Sequence, residues 1–170
     1  MKSIRQLLPA AVLSLLLASC GYHLGGLKAP CMENMNTFCV EIFANETEHP
    51  NAGMLMTSAM VNTLQSDGTY RMAARKDADF VVKGMVYKIH RSSLITNTED
   101  TYISTQIGVR VYVNYQIVDQ KSGKVLLSAR EDEEGNFFNE VGSTESAFEA
   151  ALSYATRRIA DEITINLVTK

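Results

Sequence analysis

The chain has 170 residues, of which 46% are hydrophobic, which suits one globular domain with a single core. Its 16 Lys and Arg residues against 19 Asp and Glu residues give a formal net charge of −3. Because a nucleic-acid-binding domain usually presents a basic surface, this mildly acidic balance argues against a nucleic-acid partner.

The first 19 residues have the composition of a secretory signal peptide. Lys2 and Arg5 form a basic start, an apolar run extends from Leu7 to Ala18, and Ser19 follows. The run is too short to span a bilayer, which needs a helix of about 20 apolar residues. We therefore expect residues 1–19 to be removed from the mature protein.

The sequence Leu17-Ala18-Ser19-Cys20 resembles the lipobox of bacterial lipoproteins. The resemblance implies that the thiol of Cys20 is lipidated, that the preceding bond is cut and that the new amino terminus is acylated, with palmitate as a typical chain. Several acyl chains on one cysteine supply the second signal that stable anchoring requires. Because Gly21 rather than Asp follows, the outer membrane is the expected location. The alternative is that Cys20 is only a small residue ending a signal segment.

We expect residues 20–36 to form a tether between the lipid and the folded domain. Cys31 and Cys39 are the two remaining cysteines. An exported domain meets conditions in which disulfides persist, so the two thiols can pair. Cys39 can equally be a small buried residue within a strand. The sequence leaves both interpretations open.

A strand and a helix are predicted next. Phe38, Val40 and Ile42 alternate with Cys39 and Glu41, the period of a half-buried strand. After a polar turn, apolar residues recur at three- and four-residue spacing, and Gly68 is the expected stop. The apolar positions of this helix are Ala52, Leu55, Met56, Ala59, Met60 and Leu64.

Three further strands are predicted between residues 80 and 130. The segment from Phe80 to Ser93 begins with apolar residues at both odd and even positions, which predicts that both faces of the strand are buried there. Its far end is basic, with Lys88, His90 and Arg91. The following segment alternates most clearly, with Val109, Val111, Val113 and further apolar residues on one parity. Val125 to Arg130 is the last predicted strand, and residues 131–138 are expected to form an acidic loop.

A second helix is predicted from Ser143, whose hydroxyl can cap it, to Leu167. The element order is therefore strand, helix, three strands, helix. We predict an α+β fold, a two-layer sandwich in which a small mixed four-stranded sheet is backed by two helices. A single domain covering residues 37–170 is expected.

No catalytic or metal-binding motif is found in the sequence. It lacks Gly-x-Ser-x-Gly, His-Glu-x-x-His and Cys-x-x-Cys, and His23, His49 and His90 lack the spacing of metal ligands. We therefore expect no enzymatic activity, no metal and no cofactor apart from the covalent lipid on Cys20.

Three short segments together resemble the LptE family of lipopolysaccharide-assembly lipoproteins. They are Cys20-Gly21-Tyr22-His23-Leu24, Asp67-Gly68-Thr69-Tyr70-Arg71, and Val118-Asp119 leading to Ser122-Gly123-Lys124-Val125-Leu126. The resemblance covers most of the mature chain. It implies an outer-membrane lipoprotein that lies on the periplasmic side or plugs an LptD-type β-barrel, helps to assemble that barrel, and supports transport of lipopolysaccharide to the outer leaflet.

The resemblance also indicates site residues. Basic side chains on the middle strands contact lipopolysaccharide in the family, and Lys88, Arg91 and Arg110 could do so here. This chain has Gly25-Gly26 where many relatives carry a basic residue. Alternatively, the three basic residues are ordinary solvated side chains.

Contacts with a barrel are expected on the polar parity of the third long strand, because the lumen of a large barrel is polar. The predicted contact residues are Gln106, Arg110, Tyr112 and Asn114. The competing interpretation of the whole chain is a generic periplasm-facing lipoprotein, a binding module or inhibitor unrelated to lipopolysaccharide.

Overall fold

The computed structural model describes residues 28–96, 104–139 and 144–169. The described residues form two helices and six strands, together with short 3-10 helices at Pro30–Met32 and Arg75–Asp77. In chain order they are β1 Thr37–Val40, β2 Ala44–Asn45, α1 Ala52–Asp67, β3 Arg71–Met72, β4 Phe80–Thr96, β5 Ser104–Asp119, β6 Val125–Asn139 and α2 Thr144–Thr169.

The strands form one mixed sheet in the order β3-β1-β4-β5-β6, and β2 also pairs with β4. β1 runs parallel to β3 and β4, whereas β4, β5 and β6 form an antiparallel meander. The predicted α+β class is confirmed. The sheet has six strands rather than the predicted four, because β2 and β3 contribute only two residues each and so leave no periodic pattern in the sequence.

β6 is longer than predicted and takes in the segment that we expected to be an acidic loop. The strand continues past Arg130 as far as Asn139, paired with β5 throughout. Other elements bind three of the four carboxylates in residues 131–134. Arg110 of β5 contacts Asp132 and Glu134, and Asn166 of α2 donates a hydrogen bond to Glu131.

β4 contains a bulge at Tyr87. Val86 pairs with Val113 and Lys88 with Tyr112, which leaves Tyr87 as an extra residue. Because side chains alternate between the two faces of a strand, one extra residue reverses the parity of everything that follows. Ile89 is an odd number of residues from Val86, so without the bulge the two side chains would lie on opposite faces. With the bulge, Ile89 packs against the same core as Val86.

The core lies between the sheet and the two helices. The buried residues of α1 that meet it are Ala52, Met56, Met60 and Leu64, and the long stripe of α2 includes Phe148 and Ile159. The apolar parity of β5 is fully buried at Val109, Val111, Val113 and Ile117. At the start of β4, Phe80, Val81 and Val82 are all buried, so the predicted cover on both faces is observed. Gly68, with φ 73°, ends α1 in the left-handed region.

The folded domain begins earlier than residue 37 and takes in part of the expected tether. Ala29 and Met32 are buried in the core, each 1% exposed. The backbone N–H of Ala29 donates a hydrogen bond to the carbonyl of Leu167 near the end of α2, at 3.3 Å. Residues 28–36 therefore join the domain, because Ala29 and Met32 are buried in its core and Met35 is partly buried against it.

Candidate functional site

The helices cover one face of the meander, and none of the described helices packs over the other. We call this second surface the open face. Its side chains are exposed or half-buried, in contrast to the fully buried parity beneath the helices. It comprises Lys83, Met85, Tyr87, Lys88, His90, Arg110, Tyr112, Asn114, Gln116, Ser128, Arg130, Asp132 and Glu134.

Tyr112 lies at the centre of the open face. The bulge places both Tyr87 and Lys88 beside it, where one residue would otherwise stand. The ammonium of Lys88 lies 5.3 Å from the centroid of the Tyr112 ring, and the two tyrosine rings are 6.0 Å apart at 51°. A cation at this distance is attracted by the ring face, and tilted rings attract each other. The three side chains form an aromatic and cationic patch.

Arg110 lies two residues from Tyr112 on the same face of β5, opposite His90 on β4. Its guanidinium donates to Glu134 Oε2 through Nη2 at 2.7 Å and Nε at 3.2 Å, and to Asp132 Oδ2 through Nη1 at 3.2 Å. The hydrogen bonds to Glu134, the largest cause, raise the pKa of Arg110 above its ordinary value. Arg110 is therefore a fixed cation between two carboxylates.

Asn114 lines a shallow depression of about 370 Å³ on the same face, together with Lys83, Met85 and Ser128. Its side-chain oxygen is buried, and no described residue donates a hydrogen bond to it. A buried acceptor without a partner costs free energy, and a donor from a bound molecule would recover it. The depression is thus suited to a polar contact.

A larger cleft of about 690 Å³ separates α1 from α2. Its walls are mostly short polar side chains, and Thr63 Oγ1 lies 3.3 Å from Asp161 Oδ1 across it. None of the residues predicted from the sequence to form a site lines this cleft. The open face, by contrast, contains several of the predicted site residues.

The structure groups some of the predicted site residues and separates others. Lys88, Arg110, Tyr112 and Asn114 all lie on the open face. Arg91 does not join them, because the bulge turns its side chain to the helix face, where the guanidinium lies 5.2 Å from the ring of Phe148.

Two of the predicted positions lie wholly or partly outside the described residues. Cys20 precedes them, and the side chain of Gln106 is outside them although its backbone pairs within β5. Cys31 and Cys39 both carry free thiols in the structure. Cys31 is exposed on the first 3-10 helix, while Cys39 is half-buried in β1, so the disulfide that we held open is not formed here.

The predicted site did not include Tyr87, Asp132 or Glu134, which all lie on the open face. Asp132 and Glu134 were expected in a loop. A signal for the carboxylates was present, since acidic residues at alternate positions after a strand can face a cation on its neighbour. The contribution of Tyr87 depends on the bulge, which no local pattern indicates.

The described ranges contain no cluster of three or more His, Cys, Asp or Glu side chains that could hold a metal ion. Within those same ranges, neither helix combines the length and the apolar character needed to cross a membrane.

Solved structures of low sequence identity share this fold. PelC from Paraburkholderia phytofirmans, which forms a dodecamer, is 23% identical with a TM-score of 0.52, over 85% of this chain and 96% of its own. Protein XCC0632 from Xanthomonas campestris is 11% identical with a TM-score of 0.53, over 85% of this chain and 91% of its own. At these identities the similarity concerns the fold alone.

No curated protein matches the chain significantly. The model of the LptE family, described as lipopolysaccharide-assembly, matches residues 35–167. This range runs from just before β1 almost to the end of α2 and includes every strand of the sheet. The chain therefore belongs to the LptE family.

Proposed function

We propose that this protein is an outer-membrane lipoprotein, anchored through Cys20, that plugs an LptD-type β-barrel and supports its assembly and lipopolysaccharide transport. The observation that carries the proposal is the contrast between the two parities of β5. One parity is fully buried beneath the helices, and the other forms a polar open face centred on Tyr112.

The open face suits the interior of a barrel. The lumen of a large transmembrane barrel is polar, so a plug inside it must offer hydrogen-bonding side chains without disturbing its own core. Three side chains of β5 can do so, because they lie outside the core while the residues between them in sequence are buried in it. They are Tyr112, Asn114 and Gln116. Tyrosine is also among the residues enriched at the energetic centres of interfaces.

The same face carries the cation best placed to bind a lipopolysaccharide phosphate. Lys88 is exposed and, among the described residues, its ammonium contacts the Tyr112 ring rather than a carboxylate. Arg110 is already bound to Asp132 and Glu134, so a phosphate would have to displace these carboxylates. We therefore assign the principal anion contact to Lys88 and a supporting role to Arg110.

Photo-crosslinking in cells tests the barrel contact. A crosslinking amino acid at Asn114 is expected to capture a partner much larger than the lipoprotein, identifiable by mass spectrometry as the barrel. Tyr154 provides the matched control, because it is 48% exposed on α2, away from the open face. Capture of the barrel from Tyr154 but never from Asn114 would reject the proposed face.

Binding to immobilised lipopolysaccharide tests the anion contact separately. Lys88→Ala should weaken binding by about threefold to tenfold, as for loss of one exposed charge contact, whereas Lys76→Ala on the second 3-10 helix should leave it unchanged. Equal binding by both variants would remove Lys88 from the site. A generic binding module would show neither the barrel adduct nor this difference.

A further inference from the structure

The two edges of the sheet differ greatly in length. β3 forms one edge with only two residues, which is a common way of protecting an edge. β6 forms the other with 15 residues, and no described residue pairs with its outer side. Roughly half of its backbone N–H and C=O groups therefore point away from β5, as on any antiparallel edge strand.

The centre of this edge is strongly acidic. Residues 131–134 are four consecutive carboxylates. Because side chains alternate along a strand, Asp132 and Glu134 lie on the open face and Glu131 and Glu133 on the helix side. Among the described residues, the first two share Arg110, and Glu131 accepts a hydrogen bond from the neutral amide of Asn166 at 2.9 Å. The acidic charge on the edge thus exceeds the positive charge that the domain sets against it.

This charge pattern indicates what could pair with the edge. A second copy joined antiparallel through β6 would bring its own acidic run next to this one, and like charges on neighbouring strands are destabilising. A basic strand would meet carboxylates on both faces of the sheet. Backbone hydrogen bonds would supply affinity, and lysine or arginine side chains would supply specificity.

We propose that the outer edge of β6 binds an extended, basic segment of another protein, which adds a seventh strand to the sheet. The segment places cations beside residues 131–134. This interaction uses the edge of the sheet rather than the open face, and it stands independently of lipopolysaccharide binding and of the barrel contact proposed above.

Three synthetic peptides test the inference on the full lipidated chain in detergent. The first is an eight-residue peptide in which lysine alternates with valine. The second has glutamate in place of lysine, and the third is the lysine peptide with alternate peptide nitrogens methylated. Methylation keeps the charge but removes the N–H donors that strand addition needs. Binding is followed by fluorescence anisotropy and by hydrogen exchange of the β6 amides.

The lysine peptide should bind and slow hydrogen exchange along residues 125–139. The methylated and glutamate peptides should each bind at least about tenfold more weakly, since several backbone hydrogen bonds or the charge attraction are lost. Equal binding of the methylated peptide would show that the contact is only electrostatic and would overturn the inference. Equal binding of the glutamate peptide would overturn the charge argument.

A variant chain gives a second measurement. Glu133→Lys should lower the affinity for the lysine peptide severalfold, whereas Glu149→Lys on the exposed side of α2 should not. Hydrogen exchange of the free variants shows whether β6 is still formed. Sedimentation of the chain alone tests whether a second copy pairs with the edge. A dimer that dissociates when the lysine peptide is added would mean that the edge binds a second copy, contrary to the inference.

Discussion

Gly135 of β6 lies directly beneath the backbone carbonyl of Ala151 in α2, so that a Cβ at position 135 would overlap that oxygen. The helix approaches the strand this closely only because glycine has no side chain. The contact lies within the long acidic strand and fixes the height of α2 above the edge of the sheet.

Gly135→Ala is therefore expected to destabilise the domain by about 2–3 kcal/mol, because backbone rather than a flexible side chain would have to move. Gly108→Ala is the matched control. Its new Cβ would meet the ends of the side chains of Ser92, Asn136 and Glu134, which can move aside. Urea unfolding monitored by circular dichroism measures both changes. Equal losses in the two variants would contradict the close helix contact.

The two parities of β5 should respond differently to substitution. Val111 is 0% exposed, and Val111→Asp would bury a charge without a partner, at a cost of at least about 4 kcal/mol. Tyr112→Ser, one residue along on the open face, should keep the domain folded while it weakens the barrel contact. Denaturant unfolding and photo-crosslinking of the two variants separate these effects. An unfolded Tyr112→Ser variant would mean that the open face is part of the core.

Asp79 provides a test of pH dependence. The backbone N–H of Asn36, the hydroxyl of Thr37 and the ammonium of Lys121 bind its carboxylate and lower its pKa from 3.8 to about 2. Because the folded-state pKa is below the unfolded one, the charged carboxylate stabilises the fold above about pH 4. That contribution is lost as the pH falls from 3.8 towards 2.

Asp79→Asn should cost about 1–2 kcal/mol at pH 7, a figure reduced for the partial exposure of the carboxylate, and progressively less below pH 4. Asp77→Asn, in the adjacent exposed 3-10 helix, is the control for loss of a surface carboxylate and should cost less than about 0.5 kcal/mol at pH 7. Unfolding free energies measured between pH 7 and 2.5 decide the matter. A difference between native chain and Asp79→Asn that stays constant over this range would rule out the charge as the cause.

The proposed lipidation depends on one thiol. Cys20→Ala should abolish incorporation of labelled palmitate and release the protein from membranes on cell fractionation, because no other cysteine stands at the cleavage point. Cys31→Ala serves as the control and should leave labelling unchanged. Labelled fatty acid in the Cys20→Ala variant would reject the lipobox interpretation.

Elements with a regular period could be predicted from the sequence, and these include most of the core. The alternation of Val109, Val111 and Val113 identified both the strand and its buried parity, because that inference needs only the residues themselves. The apolar stripe of α2 was predicted in the same way, and Phe148, Ile159 and Leu167 are all buried as expected.

Features that depend on a neighbouring element could not be predicted. The bulge at Tyr87 is a property of the pairing between β4 and β5, so the face on which Arg91 lies was not indicated by its sequence position. From the sequence alone, the acidic half of β6 resembles a loop. Only its pairing with β5 places Arg110 opposite its carboxylates. Tyr87, Asp132 and Glu134 could consequently be assigned to the open face only once the strands were paired.

The hydrogen bond between Ala29 and Leu167 has a mechanical consequence for the proposed lipid-anchored form of the protein. Eight peptide links separate Cys20 from Lys28, and fully extended they span about 28 Å. In the proposed lipid-anchored form, that length is the greatest distance from Cys20 that Lys28 can reach. A pull on the anchor then reaches the described residues at Lys28, next to the hydrogen bond that joins Ala29 to the end of α2 and close to the buried side chain of Met32.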